Sequence, residues 1–140
     1  MIKEFVLKWE ERKEALENKI RSTEQSNYDT YEKLVKMLFD VVINYGKPSY
    51  EQYDTNYINT IDNGDYRGVY IFILHKDTYY SPEVEDYVYT SVCYGSCSGC
   101  DTLKNINGDN YSDGLPENWQ INDYMTLLMH MLQKCHRFES

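Results

Sequence analysis

Four cysteines and three histidines are the residues best suited to metal ligation or nucleophilic chemistry, and three of the cysteines, Cys93, Cys97 and Cys100, fall within eight residues. Cys97 and Cys100 have C-x-x-C spacing, which lets one tight loop bring two thiolates onto a single ion, as in half of a structural zinc site. Closure needs two more ligands, to be drawn from Cys93, Cys135, His75, His130 and His136. No second C-x-x-C or H-x₃-H pair is present. Cys97 and Cys100 are the candidate thiolates, with zinc as the candidate cofactor and the remaining ligands open among these five. A redox role for the pair is disfavoured, because Asp101 follows directly and would raise the thiol pKa. The loop from Gly95 to Gly99 also reads as a small-residue connection with inert buried thiols, or as a nest of backbone amides for an anion.

With Cys93 the spacing becomes CxxxCxxC, the iron–sulfur pattern of radical S-adenosylmethionine enzymes. Those enzymes need a large partial barrel behind the motif, and only forty residues follow Cys100, so that reading is rejected. Cys93 also closes an apparent strand, where it is expected to point into the core. Asp62, Asp65, Glu83, Glu85 and Asp86 could supply paired carboxylates, although turns favour Asp for local hydrogen bonding. Nucleophile triads, P-loops and dinucleotide fingerprints are absent.

Periodicity indicates the secondary structure around these residues. Ile2, Phe5, Val6, Trp9, Leu16 and Ile20 recur at helical spacing, interrupted at Arg12 and Lys13. A second helix is expected over 28–45, stopped by Gly46 and Pro48. Residues 57–61 alternate, Asp62-Asn63-Gly64-Asp65 signals a tight turn, and Val69 to Leu74 is the strongest central strand. Residues 87–94 form a third strand with alternating tyrosines. Asp101 to Ile106 has room for one or two helical turns, 107–116 reads as an exposed loop, and a last helix is expected over 117–137 with Cys135 on its apolar face and His136 near its end. The expected fold is α+β: an N-terminal helical hairpin (1–46), then an antiparallel meander of three or more strands with a C-terminal helix packed on one face (47–140), in one domain. The first helix, weakly apolar, is expected to lie over a sheet edge or to pair two copies of the chain.

Charge is divided along the chain. Residues 1–47 hold nine basic and nine acidic side chains, so the whole net charge of −9 lies behind Lys47, as do twelve of the fifteen tyrosines. A direct nucleic-acid contact is excluded by this balance, since a phosphate backbone needs clustered Lys and Arg. No stretch approaches the ~18 apolar residues of a membrane span. The N-terminus lacks a signal-peptide pattern, so a cytoplasmic location with reduced cysteines is expected.

Asn63-Gly64-Asp65-Tyr66-Arg67-Gly68, Tyr94-Gly95-Ser96-Cys97-Ser98-Gly99-Cys100-Asp101-Thr102-Leu103 and Tyr124-Met125-Thr126-Leu127-Leu128-Met129-His130 occur in that order. Together they resemble a family of small proteins of tailed phages and prophages, with a G-D-Y-x-G turn, a Y-G-S-C-S-G-C-D loop and an M-T-L-x-x-H helix. The likeness covers roughly residues 57–135 and leaves the first two helices and Cys93 outside it. It implies a phage origin and singles out Cys97, Cys100, Asp101 and His130, without supplying an activity.

These observations lead to the expectation of a non-catalytic binding protein that inhibits a host factor, such as a CRISPR nuclease or a restriction enzyme. Its acidic, tyrosine-rich surface is expected to include Asp62, Asp65, Tyr66, Tyr87, Tyr89 and Asp101. The alternatives are a metal- or thiol-dependent protein built on Cys97, Cys100 and His130, and a sponge for a nucleotide signal. The last is opposed by the scarcity of Lys and Arg behind Lys47.

Overall fold

Two strand-forming runs whose even-numbered members are Tyr70, Phe72 and Leu74, and Val88, Thr90, Val92 and Tyr94, set the sheet. Successive side chains leave a strand on opposite faces, so one face of each run is buried and the other is not. The computed structural model describes residues 2–25, 30–64, 67–76, 81–95, 102–107 and 114–138. Strands β1 (Asn59–Gly64), β2 (Arg67–His75), β3 (Tyr87–Gly95) and β4 (His136–Arg137) form a four-stranded antiparallel sheet in sequential order. The architecture is α+β, as expected from the sequence.

Helices α1 (Lys3–Arg21), α2 (Tyr31–Leu38), α3 (Thr102–Asn107) and α4 (Asn118–Gln133) complete the fold. Lys8 Nζ donates to the carbonyl of Tyr45 and Arg12 Nε to that of Val41, so α1 runs antiparallel to the second helical segment. Phe5, Trp9, Leu16 and Ile20 of α1 are all buried. The apparent break at Arg12 is filled by its guanidinium, which stacks 3.5 Å from the Tyr45 ring centroid. The stripe expected to serve a sheet edge or a second copy is thus used against α4 and the second helix. Arg21 donates to Asn118 and Arg137 to Glu4, which sets α1 antiparallel to α4.

The second helix is shorter than its apolar pattern. α2 ends at Leu38, and Phe39–Ile43 widens into a π-helix with the Asn44 N–H bonded to the Phe39 carbonyl at 2.8 Å. Gly46, at φ +77°, then adopts the left-handed turn that the sequence indicated. Gly68 is required for another reason: a Cβ there would lie 2.3 Å from the Asn63 carbonyl oxygen across the β1–β2 hairpin.

Three expectations are corrected. Residues 62–64, read as a turn, continue β1, and the register pairs Gly64 with Gly68. The last helix stops at Gln133 with Lys134 as its C-cap, so His136 lies outside the helix, in β4. The helical period carries on to Cys135 because that side chain still points inward: its Sγ donates to the Met131 carbonyl. Cys93 is exposed, because β3 buries its even positions and turns the odd ones outward.

The core joins Phe72, Leu74, Val88 and Val92 of the sheet to the buried faces of α1, α2, α3 and α4. Several buried polar side chains are paired across elements, while the Tyr53 hydroxyl is buried without a hydrogen-bond partner among the described residues. Gln25 and Gln120 bond each other and Gln120 also donates to the Ile106 carbonyl, while Thr90 Oγ1 donates to the Met131 carbonyl at 2.6 Å. Asn44 uses both ends of its amide on the backbone of Tyr53.

Candidate functional site

The helices with described contacts to the sheet share the face carrying Phe72, Leu74, Val88 and Thr90. On the opposite face, strand parity aligns Asn59, Ile61 and Asn63 of β1 with Val69, Ile71, Ile73 and His75 of β2. The same face carries Tyr87, Tyr89, Ser91 and Cys93 of β3. His136 pairs with Tyr89, and Phe138 lies 4.9 Å from the Tyr89 ring and 6.1 Å from that of Tyr87. The register places Arg67 of β2 on this face as well, so it carries at least one charged position.

At the end of the sheet where β2 leads toward β3, the surface changes character. Residues Thr55 to Asn59 cross in front of α2, held by Thr55 Oγ1 donating to Asp40 and by Thr60 Oγ1 donating to Glu32. Between this segment, α2 and the strand ends lies a cleft of about 520 Å³. Tyr57, His75 and Tyr87 supply its aromatic wall, and Lys33 and Lys36 its cationic one. His75 Nδ1 lies 3.0 Å from the Lys76 carbonyl and donates to it, which fixes the orientation of the ring.

Acidic residues gather around the same end. The Asp54 N–H bonds the His75 carbonyl and the Lys76 N–H bonds the Asp86 carbonyl, so Asp54 and Asp86 flank the end of β2. Glu83 and Asp86 form a reciprocal cap on the short 3₁₀ turn Val84–Asp86, and Glu85 is exposed. Among the described residues, the carboxylates in ion pairs are Glu4, Glu10, Glu11 and Asp40. None of the described acids behind Lys47 has such a partner, so the charge of these acids is not neutralised by ion pairs.

The expected site residues are divided. Tyr87 and Tyr89 share the open face, and Tyr87 also lines the cleft. Asp62 lies toward the other end of the sheet, on the helix side. It accepts the Tyr94 hydroxyl, which also reaches the Gly64 carbonyl, while the Tyr94 ring stacks 4.1 Å from that of Tyr70. Its role is to close the β1–β2–β3 corner. His130 is exposed in the last turn of α4. Asp65, Tyr66, Cys97, Cys100 and Asp101 lie outside the described residues. Among the described residues, no group of three His, Cys, Asp or Glu side chains could hold a metal, and no helix is long and apolar enough to cross a membrane.

Sequence reasoning did not bring Ile61, Ile71, Ile73 and Phe138 together on one face, and it met His136 only as a possible metal ligand. The signal that pointed to them was the unbroken run from Val69 to Leu74, which is apolar at odd as well as even positions and so leaves one apolar row for each face. No protein-family model matches the chain, and neither a curated protein nor a solved structure matches it.

Proposed function

We propose that this protein acts by binding a basic partner protein through the acidic, tyrosine-bearing end of its sheet, with no catalysis of its own. One observation carries the reading: Asp54, Glu83, Glu85 and Asp86 gather there without ion-pair partners among the described residues, close to Tyr57, which is 70 % exposed. Unpaired carboxylates can take the places of phosphates in a nucleic-acid channel, and they steer encounter with a basic surface. Tyrosine adds rigid contact area at low entropic cost. Together with the resemblance to proteins of tailed phages, this supports inhibition of a nucleic-acid enzyme in the host cytoplasm, as a counter-defence factor against a CRISPR or restriction system. The test is capture of a host nucleic-acid enzyme from lysate over a salt series, using the wild type and a Glu85→Lys, Tyr57→Ala variant. Capture should weaken with salt and fall at least about tenfold in the variant, a combined loss of about 1.4 kcal/mol from one charge reversal and one lost aromatic contact. Salt-independent capture, or equal capture by the variant, would sink the proposal.

A second reading rests on the cleft. Tyr57, Tyr87 and His75 offer stacking surfaces opposite Lys33 and Lys36, an arrangement suited to a nucleotide and hence to sequestering a nucleotide signal. Lys36 already bonds Thr55 at 3.2 Å and lies 3.5 Å from Asp40, which lowers the attraction left for a phosphate. Calorimetric titration with cyclic oligonucleotides decides it: absence of heat with every one of them removes this reading and leaves the first intact.

A further inference from the structure

Taking the protein as a binder of a basic partner, as proposed above, we infer that this partner presents arginine side chains, which stack on a row of aromatic rings beside the carboxylates. His75, Tyr87, Phe138, Tyr89 and His136 form one chain of ring contacts, with centroids between 4.9 and 6.1 Å apart. The rings meet at angles from 35° to 90°, so none lies flat on another. Tyr70 and Tyr94 on the helix side are the contrast: their rings stack 4.1 Å apart at 21° and cover each other. Each described cation over a ring lies on Tyr45, Tyr53 or Phe5, and none lies on this row. Phe138 is 38 % exposed, and Tyr87 and Tyr89 are half-buried.

Charge selects the guest. Asp86 directly precedes Tyr87, and the Asp54 N–H bonds the carbonyl of His75, so both acids stand beside the row. With Glu83 and Glu85 they make this end of the sheet negative, and ring faces carry a negative potential of their own. A cation is drawn by the acids at long range and held by the ring faces on contact. The nearest positive charges do not reverse this. Lys33 and Lys36 line the cleft from α2, and Lys36 lies 3.5 Å from Asp40. Arg67 is at the opposite end of β2, about 26 Å along the strand from His75. Among cations, the rings and acids together favour arginine. A guanidinium is flat and weakly hydrated, so it can lie on a ring while its N–H groups reach carboxylates at its edge; an ammonium is compact and holds its water. The chain makes this contact once within itself: the Arg12 guanidinium lies 3.5 Å from the Tyr45 ring centroid, and that tyrosine is still 46 % exposed.

The test is titration of the intact protein with two peptides of equal length and charge, one of Arg-Gly repeats and one of Lys-Gly repeats. The arginine peptide should bind at least about fivefold tighter, through several exposed guanidinium–ring contacts. Salt should weaken both peptides alike, so their ratio should hold across a salt series. Phe138→Leu and Tyr89→Leu keep apolar bulk and remove a ring. Each should bring the ratio toward one, with unchanged circular dichroism as the check on folding. Wild-type protein gives a reading that needs no variant: ring resonances of Tyr87, Tyr89 and Phe138 should shift on adding the arginine peptide, and the arginine Hδ protons should move upfield under the ring currents. Equal affinity for the two peptides would overturn the inference and leave binding of a basic partner intact. A preference that survives both substitutions, or ring resonances of the row that stay in place, would overturn it as well. No binding of either peptide at low salt would remove both readings.

Discussion

Arg137 Nη2 lies 3.0 Å from Glu4 Oε2, so the fourth strand is fastened to the first helix. The other oxygen of the same carboxylate lies 2.6 Å from Lys47 Nζ, just beyond the turn that ends the second helix. One side chain on α1 thus joins three parts of the chain separated by most of its length. Without this clamp, the two-residue β4 would be held by its pairing with β3 and by the aromatic contacts of His136 and Phe138.

The clamp should be felt in acid. The hydrogen bond from Lys47, helped by the charges of Lys47 and Arg137 and opposed by partial burial, holds the Glu4 carboxyl below its ordinary value. A depressed carboxyl stabilises the fold above its unfolded pKa, and that contribution disappears as pH falls through the folded one. Glu4→Gln should therefore cost up to about 1 kcal/mol in urea unfolding at pH 7, a modest figure because the group is 45 % exposed. The difference between variant and wild type should vanish at the acid end. An equal deficit at pH 7 and in acid would refute an electrostatic role for the clamp.

Asn44 should matter far more. It is buried, and its Nδ2 and Oδ1 satisfy the carbonyl and N–H of Tyr53 at 2.9 and 2.8 Å. Asn44→Ala would leave both backbone groups without partners, at about 1–3 kcal/mol each. A total loss of about 2–4 kcal/mol is expected in denaturant melts, and a change below about 0.5 kcal/mol would show that water replaces the amide freely.

Alkali should unfold the protein through Cys135. Burial pushes its thiol up to about 12, with Thr90 opposing. Burial likewise raises Tyr53, and Arg137 opposes this without reaching hydrogen-bonding geometry. A group with a raised folded pKa stabilises fully below its unfolded value, 9.0 for the thiol, and that contribution is lost as pH climbs through the folded one. Stability should decline by up to about 1.4 kcal/mol per pH unit above pH 9, and Cys135→Ala should flatten the decline. In peptide mapping of the native protein at pH 8, Cys93 should be alkylated and Cys135 spared.

Thr90→Val tests the tie between the sheet and the last turns of α4. The substitution keeps the shape but removes the 2.6 Å bond to the Met131 carbonyl. A loss of about 1–2 kcal/mol is expected, less than for Asn44 because the Met131 carbonyl keeps the Cys135 thiol as a partner at 3.4 Å.

The fold class and the order of the first three strands were legible because β2 is an unbroken apolar run, β3 carries alternating tyrosines, and turn residues flank both. β4 was not legible: two residues carry no period, and Cys135 continues the helical stripe by pointing inward from just beyond the helix. The candidate site was half legible. The shared face of Tyr87 and Tyr89 follows from their spacing, and the acidic excess behind Lys47 from counting. The engagement of Asp62 with Tyr94 was not legible, because it depends on the register between non-adjacent strands. Ile71 and Ile73 fall in the run read as the central strand, and a continuous apolar run does not say which of its two faces the described helices cover.

The π-helical turn has a consequence for insertions and deletions. Phe39–Ile43 accommodates one residue more than a regular α-helical turn, and Asn44 comes directly after it. Removing a single residue from this stretch would restore α-helical hydrogen bonding, yet each residue lost turns the downstream chain by about 100° about the helix axis. The Asn44 amide would swing away from Tyr53, and the segment leading into β1 would lose its anchor. An apparently regularising deletion would therefore be harmful here, so homologues should keep the length between Leu38 and Tyr53 even where the side chains drift.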